Sequence, residues 1–210
     1  MLGAGECPYD VLVQPGAVWS LDANVDCRGF YEPFGVSRLI RLDRTGPARD
    51  TVDLEGAMGA LRVFSTGAST AHVFAPGNYF DVPATVTRVD LTAKAANGQR
   101  EIADHYGVGA TVGLDGRLYV VAAPYGGYVP AVFVIDPATM AIVGGAAQPL
   151  MASDGVTPVR CDAATADADG LIYCVSNTNG FATLHAFAVD GRERFRVQAG
   201  TAAFDIALRP

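Results

Sequence analysis

Apolar positions in this chain fall into short runs, and polar turn residues separate the runs at regular intervals. Ala60-Leu-Arg-Val-Phe64, Ala71-His-Val-Phe-Ala75, Leu118-Tyr-Val-Val121 and Ala131-Val-Phe-Val-Ile135 are each of strand length. Val, Ile, Phe and Tyr fill them, while Gly, Pro, Asn and Asp bound them, which is strand chemistry with turn punctuation. No stretch carries a capped 3.6-residue apolar period, so helix is expected to be scarce. No apolar run approaches the roughly 20 residues that span a bilayer as a helix.

The runs repeat. An apolar strand, a turn glycine, a second strand, an aromatic loop and a third strand ending in Asp occur four times. The turn glycines are Gly16, Gly67, Gly116 and Gly170, and the strand-ending aspartates are Asp43, Asp90, Asp136 and Asp190. A fourth strand follows each Asp, as in Ala141-Ile-Val143 and Arg194-Phe-Arg-Val197. A repeat of about 40–50 residues made only of strands is the pattern of propeller blades. The expected fold is therefore all-β, a β-propeller of about four four-stranded blades over residues 1–210. The blades are expected near 9–56, 57–104, 105–158 and 159–200. Asp-Gly at 115–116, 169–170 and 190–191 suits tight hairpins, because Gly accepts positive φ and Asp bonds the turn backbone.

Leu118-Tyr-Val-Val and Val132-Phe-Val-Ile-Asp-Pro-Ala-Thr-Met140 resemble a blade of the YVTN-type β-propeller repeat family. In that family a "YV" strand precedes a "V-x-V-I-D-x-x-T" strand and a turn. The resemblance is clearest over residues 109–145. Repeats 2 and 4 carry it more loosely, and repeat 1 has a longer insertion between its second and third strands. It implies a fold, and such folds host both enzymes and binding modules.

The segment 201–210 reads as the first strand of a fifth repeat. An inner strand left unpaired exposes backbone donors and acceptors, so this strand is expected to close or edge the sheet system. Three arrangements accommodate it: a small propeller closed by this strand, part of a larger propeller, or an open ring completed by another chain.

Charge and cysteine narrow the function classes. The net charge is −7 and basic residues do not cluster. Nucleic-acid affinity rests on phosphate contacts, so DNA and RNA are unsuited as partners, as is an anionic membrane surface. Cys7 and Cys161 each lie nine residues before a turn glycine, and Cys27 and Cys174 follow the same two hairpins. Two local disulfides, Cys161–Cys174 and Cys7–Cys27, are geometrically open; four buried thiols are the alternative. Disulfides would place the chain in an extracytoplasmic or secreted setting. Residues 1–10 lack the basic and apolar regions of a secretion signal, so the expectation is a protein made without one or a mature or trimmed chain. The cysteines have neither CxxC spacing nor a nearby histidine, so no metal is expected.

Eight of the 19 aromatic residues fall in the loops between second and third strands. They are Phe30, Tyr31, Phe34, Tyr79, Phe80, Tyr125, Tyr128 and Phe181. Rigid rings beside Gly and Asn make adaptable contact surfaces at low entropic cost. The expected function is a non-enzymatic binding or scaffold module whose aromatic loop face holds a glycan, a peptide or a partner subunit, self-association included. The bland alternative is that the rings pack between blades. The competing function is a propeller enzyme, lactonase-like, lyase-like or quinone-dependent, with a site in the central channel. Its acids would come from Asp10, Asp162, Asp167 and Asp205. His72 and His185 lie within strands and read as structural. Asp104-His105-Tyr106 reads as the link between repeats 2 and 3. No nucleophile elbow, zinc-protease or phosphate-loop motif is present, and no cofactor is expected.

Overall fold

The computed structural model describes residues 7–25, 35–42, 50–78, 80–127, 129–167, 169–178, 180–188 and 190–201, with the side chains of 144–148 excluded. Among the described residues every regular element is a strand. Sixteen strands among the described residues form four antiparallel four-stranded sheets. Each sheet is a meander in which sequence neighbours are spatial neighbours, as the repeat of strand runs predicts.

The chain divides into two compact units, residues 1–103 and 104–210. In the first, one sheet is β1 (Pro8–Gln14), β2 (Ala17–Asp22), β3 (Ser37–Leu42) and β4 (Asp50–Leu54). The other is β5 (Arg62–Gly67), β6 (Thr70–Ala75), β7 (Ala84–Asp90) and β8 (Ala95–Ile102). In the second unit, β9 (His105–Val112), β10 (Leu118–Pro124), β11 (Ala131–Ile135) and β12 (Ile142–Pro149) form the third sheet. The fourth comprises β13 (Ala163–Ala166), β14 (Ile172–Thr178), β15 (Phe181–Phe187) and β16 (Glu193–Gly200).

Burial follows strand position. The run Leu118–Ala123 in β10 and all of β11 are buried, because a middle strand is covered on both faces. The outermost β16 is mostly exposed and polar at alternate positions. In the first unit Leu12, Trp19, Leu21, Leu39, Val63 and Val73 belong to one core. In the second, Tyr119, Val121, Leu150, Ile172 and Phe187 do so. Each fully buried Leu, Ile or Phe contributes roughly 1.5–3 kcal/mol.

Hydrogen bonds tie adjacent sheets within each unit. The Asp10 carboxylate accepts the Val63 N–H at 3.0 Å, and Gln14 Nε2 donates to Ser65 Oγ at 3.0 Å. In the second unit the Leu114 N–H reaches the Ala166 carbonyl at 3.4 Å. Asp22 is fully buried and fully used: it accepts the N–H groups of Cys7 and Asn24 and pairs with Arg38 at 2.7 Å.

Turns are held by carboxylates. Asp90 accepts the N–H groups of Thr92 and Ala93, and Asp136 those of Ala138 and Thr139. Gly16, Gly116 and Gly170 take φ near +80°, the region where a Cβ is strained. Gly67 departs from expectation: it ends β5 opposite Thr70, and residues 68–69 make the turn. In the fourth sheet the bonding acid is Asp167 rather than Asp169, because its side chain reaches the N–H groups of both Asp169 and Leu171. His105 and Tyr106 open β9 instead of lying in a connection, and Asp104 occupies the turn at φ +61°. Asp43 and the expected strand at 201–210 fall, apart from Thr201, outside the described residues.

Cys161 and Cys174 are bonded, with Cα atoms 5.6 Å apart. Cys7 is buried, but its expected partner Cys27 lies outside the described residues. The bridged cysteines are 13 residues apart, and closing a loop of about 15 residues is worth about 3 kcal/mol in the chain-entropy account. The double substitution Cys161→Ser, Cys174→Ser is therefore expected to lower unfolding free energy by about 2–4 kcal/mol in urea titration. An unchanged midpoint would refute a structural role for the bridge.

A second expectation concerns the 154–157 turn. Thr157 Oγ1 and the N–H groups of Thr157 and Val156 all donate to Asp154, holding its carboxyl down at about 2. Its folded value is below its unfolded value. The turn is thus stabilised above the ordinary carboxylate range, and that stabilisation is lost as pH falls through about 2. NMR titration should place the Asp154 midpoint near 2 and, in Thr157→Val, closer to the ordinary value. A midpoint at the ordinary value in the native chain would contradict the turn geometry.

Candidate functional site: exposed aromatic rings and a polar cleft

Three of the eight aromatic positions lie among the described residues. Phe80 stands in the loop between β6 and β7 and is 81% exposed. That loop is built to hold it. The Asn78 side-chain oxygen accepts the N–H groups of Phe80, Asp81 and Val82 at 2.8–2.9 Å, and Asn78 N–H donates to the Val82 carbonyl. Gly77 sits at φ +70°, and a Cβ there would collide with the Val82 and Pro83 carbonyl groups, so only glycine fits.

Tyr125 follows β10, is half-buried, and has its N–H bonded to the Asp104 carbonyl. Phe181 is 51% exposed, yet it opens β15 rather than sitting in a loop. Thr178 pairs with Phe181, and Gly180 beside it takes φ +79°. Phe30, Tyr31, Phe34, Tyr79 and Tyr128 lie outside the described residues. Phe80 belongs to the first unit, Tyr125 and Phe181 to the second.

The acids considered for a channel site are engaged in the structure. Asp10 bonds Val11 and Val63, and Asp162 accepts from Arg160 and from both the backbone and side chain of Asn177. Asp167 holds its turn and accepts the Tyr173 hydroxyl at 3.1 Å. Asp205 is outside the described residues. His72 is buried with Nδ1 2.9 Å from Thr66 Oγ1, and His105 meets the edge of Phe133.

The fourth sheet holds a constellation that the sequence reading passed over. Strand register places Cys174, His185 and Arg196 in one cross-strand row, and Ser176, Thr183 and Gln198 in the next. Directly opposed residues share a face, as do residues two apart along a strand, so both rows face one way. On that face Ser176 Oγ lies 2.9 Å from His185 Nε2. His185 Nδ1 lies 2.6 Å from Glu193 Oε1, and the other Glu193 oxygen accepts the Ser153 N–H at 2.9 Å.

The side chains of His185 and Glu193 are only 8% and 2% exposed. Burial pushes the Glu193 carboxyl up, but the hydrogen bonds from His185 and Ser153, with the charges of His185 and Arg196, outweigh it and hold it below its ordinary value. An ionised carboxylate only accepts, so His185 Nδ1 carries a proton toward Glu193 and Nε2 faces the Ser176 hydroxyl. His185 also stacks on Phe187, with ring centroids 5.9 Å apart.

Ser176 and His185 form part of the wall of an open cleft of about 570 Å³. Thr157, Arg160, Arg196 and Gln198 line it as well. Cys161, next to Arg160, is bridged to Cys174, which pairs with His185 across the sheet; the disulfide thus fixes the cleft rim to its floor. In sequence His185 looked like a strand histidine, and Glu193 carried no motif. Their proximity depends on the β14–β15–β16 register, which spacing alone does not specify.

No protein-family model matches this chain, and no curated protein does. Solved structures do. Hydrazine synthase from Kuenenia stuttgartiensis superposes with TM-score 0.63 at 12% identity, covering 85% of this chain and 52% of that one. The Dos1 propeller gives 0.62 at 11% identity, over 92% of this chain and 48% of that one. TolB from Acinetobacter baumannii gives 0.58 at 13%, over 92% and 44%. The chain spans about half the length of these structures. At such identities the likeness concerns fold alone, and it does not single out the YVTN type. The four antiparallel sheets are blades of a β-propeller.

Proposed function

We propose that this chain is a binding propeller module that holds a peptide, a glycan or a partner subunit, a second copy included, through exposed aromatic rings at its inter-strand turns. The observation that carries the reading is Phe80: a large apolar ring left 81% exposed on a loop whose backbone is locked by Asn78. A solvent-facing aromatic on a hydrogen-bonded loop has only its few side-chain rotamers left to lose on binding. Phe181, beside a tight hairpin, offers a second such ring. A central-channel enzyme is the weaker reading, because Asp10, Asp162 and Asp167 already spend their oxygens on backbone and side-chain donors. The Cys161–Cys174 bridge supports an oxidising, extracytoplasmic setting.

The test compares the native chain with the double variant Phe80→Ser, Phe181→Ser on peptide and glycan arrays, with sedimentation velocity for self-association. The expected result is at least tenfold weaker binding or association in the variant, with unchanged circular dichroism and urea midpoint. A native chain that binds nothing and stays monomeric, or a variant that binds equally well, would overturn the proposal.

A further inference from the structure

We infer that Ser176, His185 and Glu193 form a nucleophile–base–orienter triad and that the cleft above them accepts a carboxylic ester. The three parts that acyl transfer requires are in place. Ser176 Oγ is within hydrogen-bond reach of His185 Nε2, at 2.9 Å. His185 Nδ1 is bound by a carboxylate at 2.6 Å, which orients the ring with Nε2 toward Ser176, the arrangement of a base and its orienting acid. Glu193 is itself held by the Ser153 N–H, so the chain of orientation runs from backbone to nucleophile.

Position separates this network from an ordinary buried cross-strand bond. Ser176 is 5% exposed, and both it and His185 belong to the wall of the cleft. Arg196 lies directly across the sheet from His185, and Gln198 lies in the Ser176–Thr183 row. Both line the cleft, so their N–H groups are the donors available to an oxyanion formed beside Ser176. Arg160 stands on the rim with its side chain 70% exposed. Arg160 is paired with Asp162 at 2.8 Å, so the Arg196 guanidinium is the cation that fits an ester whose acyl portion carries a negative charge.

The reaction balances with water as the only co-reactant. Ser176 Oγ bonds to the ester carbonyl carbon while its proton passes to His185 Nε2. Collapse of the tetrahedral adduct breaks the carbon–alkoxide bond, and Nε2 returns that proton to the departing alcohol. Water then attacks the acyl-serine, giving its proton to Nε2. Cleavage of the acyl–Oγ bond restores the Ser176 hydroxyl and releases the acid. Glu193 stays ionised throughout and stabilises the transient imidazolium.

The test uses the oxidised full chain. A fluorophosphonate probe, which reacts with activated serine, should add once per chain, and peptide mapping should place the adduct on Ser176. Ser176→Ala should abolish the adduct, and His185→Gln should slow labelling at least a hundredfold. Glu193→Gln, which keeps shape while removing charge, should slow it at least tenfold. Turnover of mono-p-nitrophenyl succinate should exceed that of p-nitrophenyl acetate in kcat/KM, and Arg196→Gln should erase the difference. Circular dichroism and urea midpoints identify any variant that has failed to fold, and native-chain labelling decides the matter independently of the variants. No adduct on the folded native chain, an adduct elsewhere, or labelling indifferent to His185→Gln would overturn the inference. None of these readouts depends on Phe80 or Phe181, so this inference and the binding proposal fail separately.

Discussion

A carboxylate buried to 2% exposure must be compensated where it stands, and Glu193 meets that constraint through His185. Removing one member of a buried, hydrogen-bonded pair leaves the other unsatisfied and costs several kcal/mol, about 3–5 in measured cases. The pair consequently fixes much around it. It holds a proton on His185 Nδ1, aims Nε2 at Ser176, and draws the 150–158 connection onto the fourth blade through Ser153. The same connection pairs with the 190–193 turn, where Met151 N–H meets the Gly191 carbonyl and Glu193 N–H meets the Met151 carbonyl. The disulfide adds a covalent tie to the same sheet by fixing Cys161 to Cys174, the cross-strand neighbour of His185.

Acidic residues act in the same way elsewhere. The net charge of −7 suggests an anionic surface, yet many of the carboxylates work within the fold. Asp22 anchors the start of the first blade, Asp10 joins the first blade to the second, and Asp90, Asp136, Asp154 and Asp167 close turns. A four-strand meander needs three reversals, and each tight one frees backbone N–H groups that a short side-chain oxygen can satisfy. Blades three and four show how flexible the solution is. Tyr119 donates to Asp115, whereas Tyr173 donates to Asp167, a carboxylate two positions earlier relative to the turn glycine. Gly113 is small for this reason: a Cβ there would crowd both Tyr119 and Asp115.

The fold was largely legible because strand runs and turn punctuation are local. Buried middle strands such as β10 and β11 announce themselves as unbroken apolar runs, and the Asp-Gly pairs mark real reversals. Gly67 misled because a glycine at a strand end and one in a turn look alike until register is known. The site was far less legible. Phe80 stands out as an exposed ring, but its exposure follows from the Asn78 lock, which composition does not reveal. Ser176, His185 and Glu193 are separated by nine and eight residues and meet only because three adjacent strands align, with bulges in β15–β16 setting the final offset.

The claim that the Glu193–His185 pair organises this face is tested most directly by a double-mutant cycle in urea unfolding. Glu193→Gln, His185→Asn and the double variant would be compared with the native chain. The expected coupling free energy between the two positions is about 1–3 kcal/mol, as for residues sharing one buried network. Additive effects, within about 0.5 kcal/mol, would contradict the account, because positions that do not interact behave in that way.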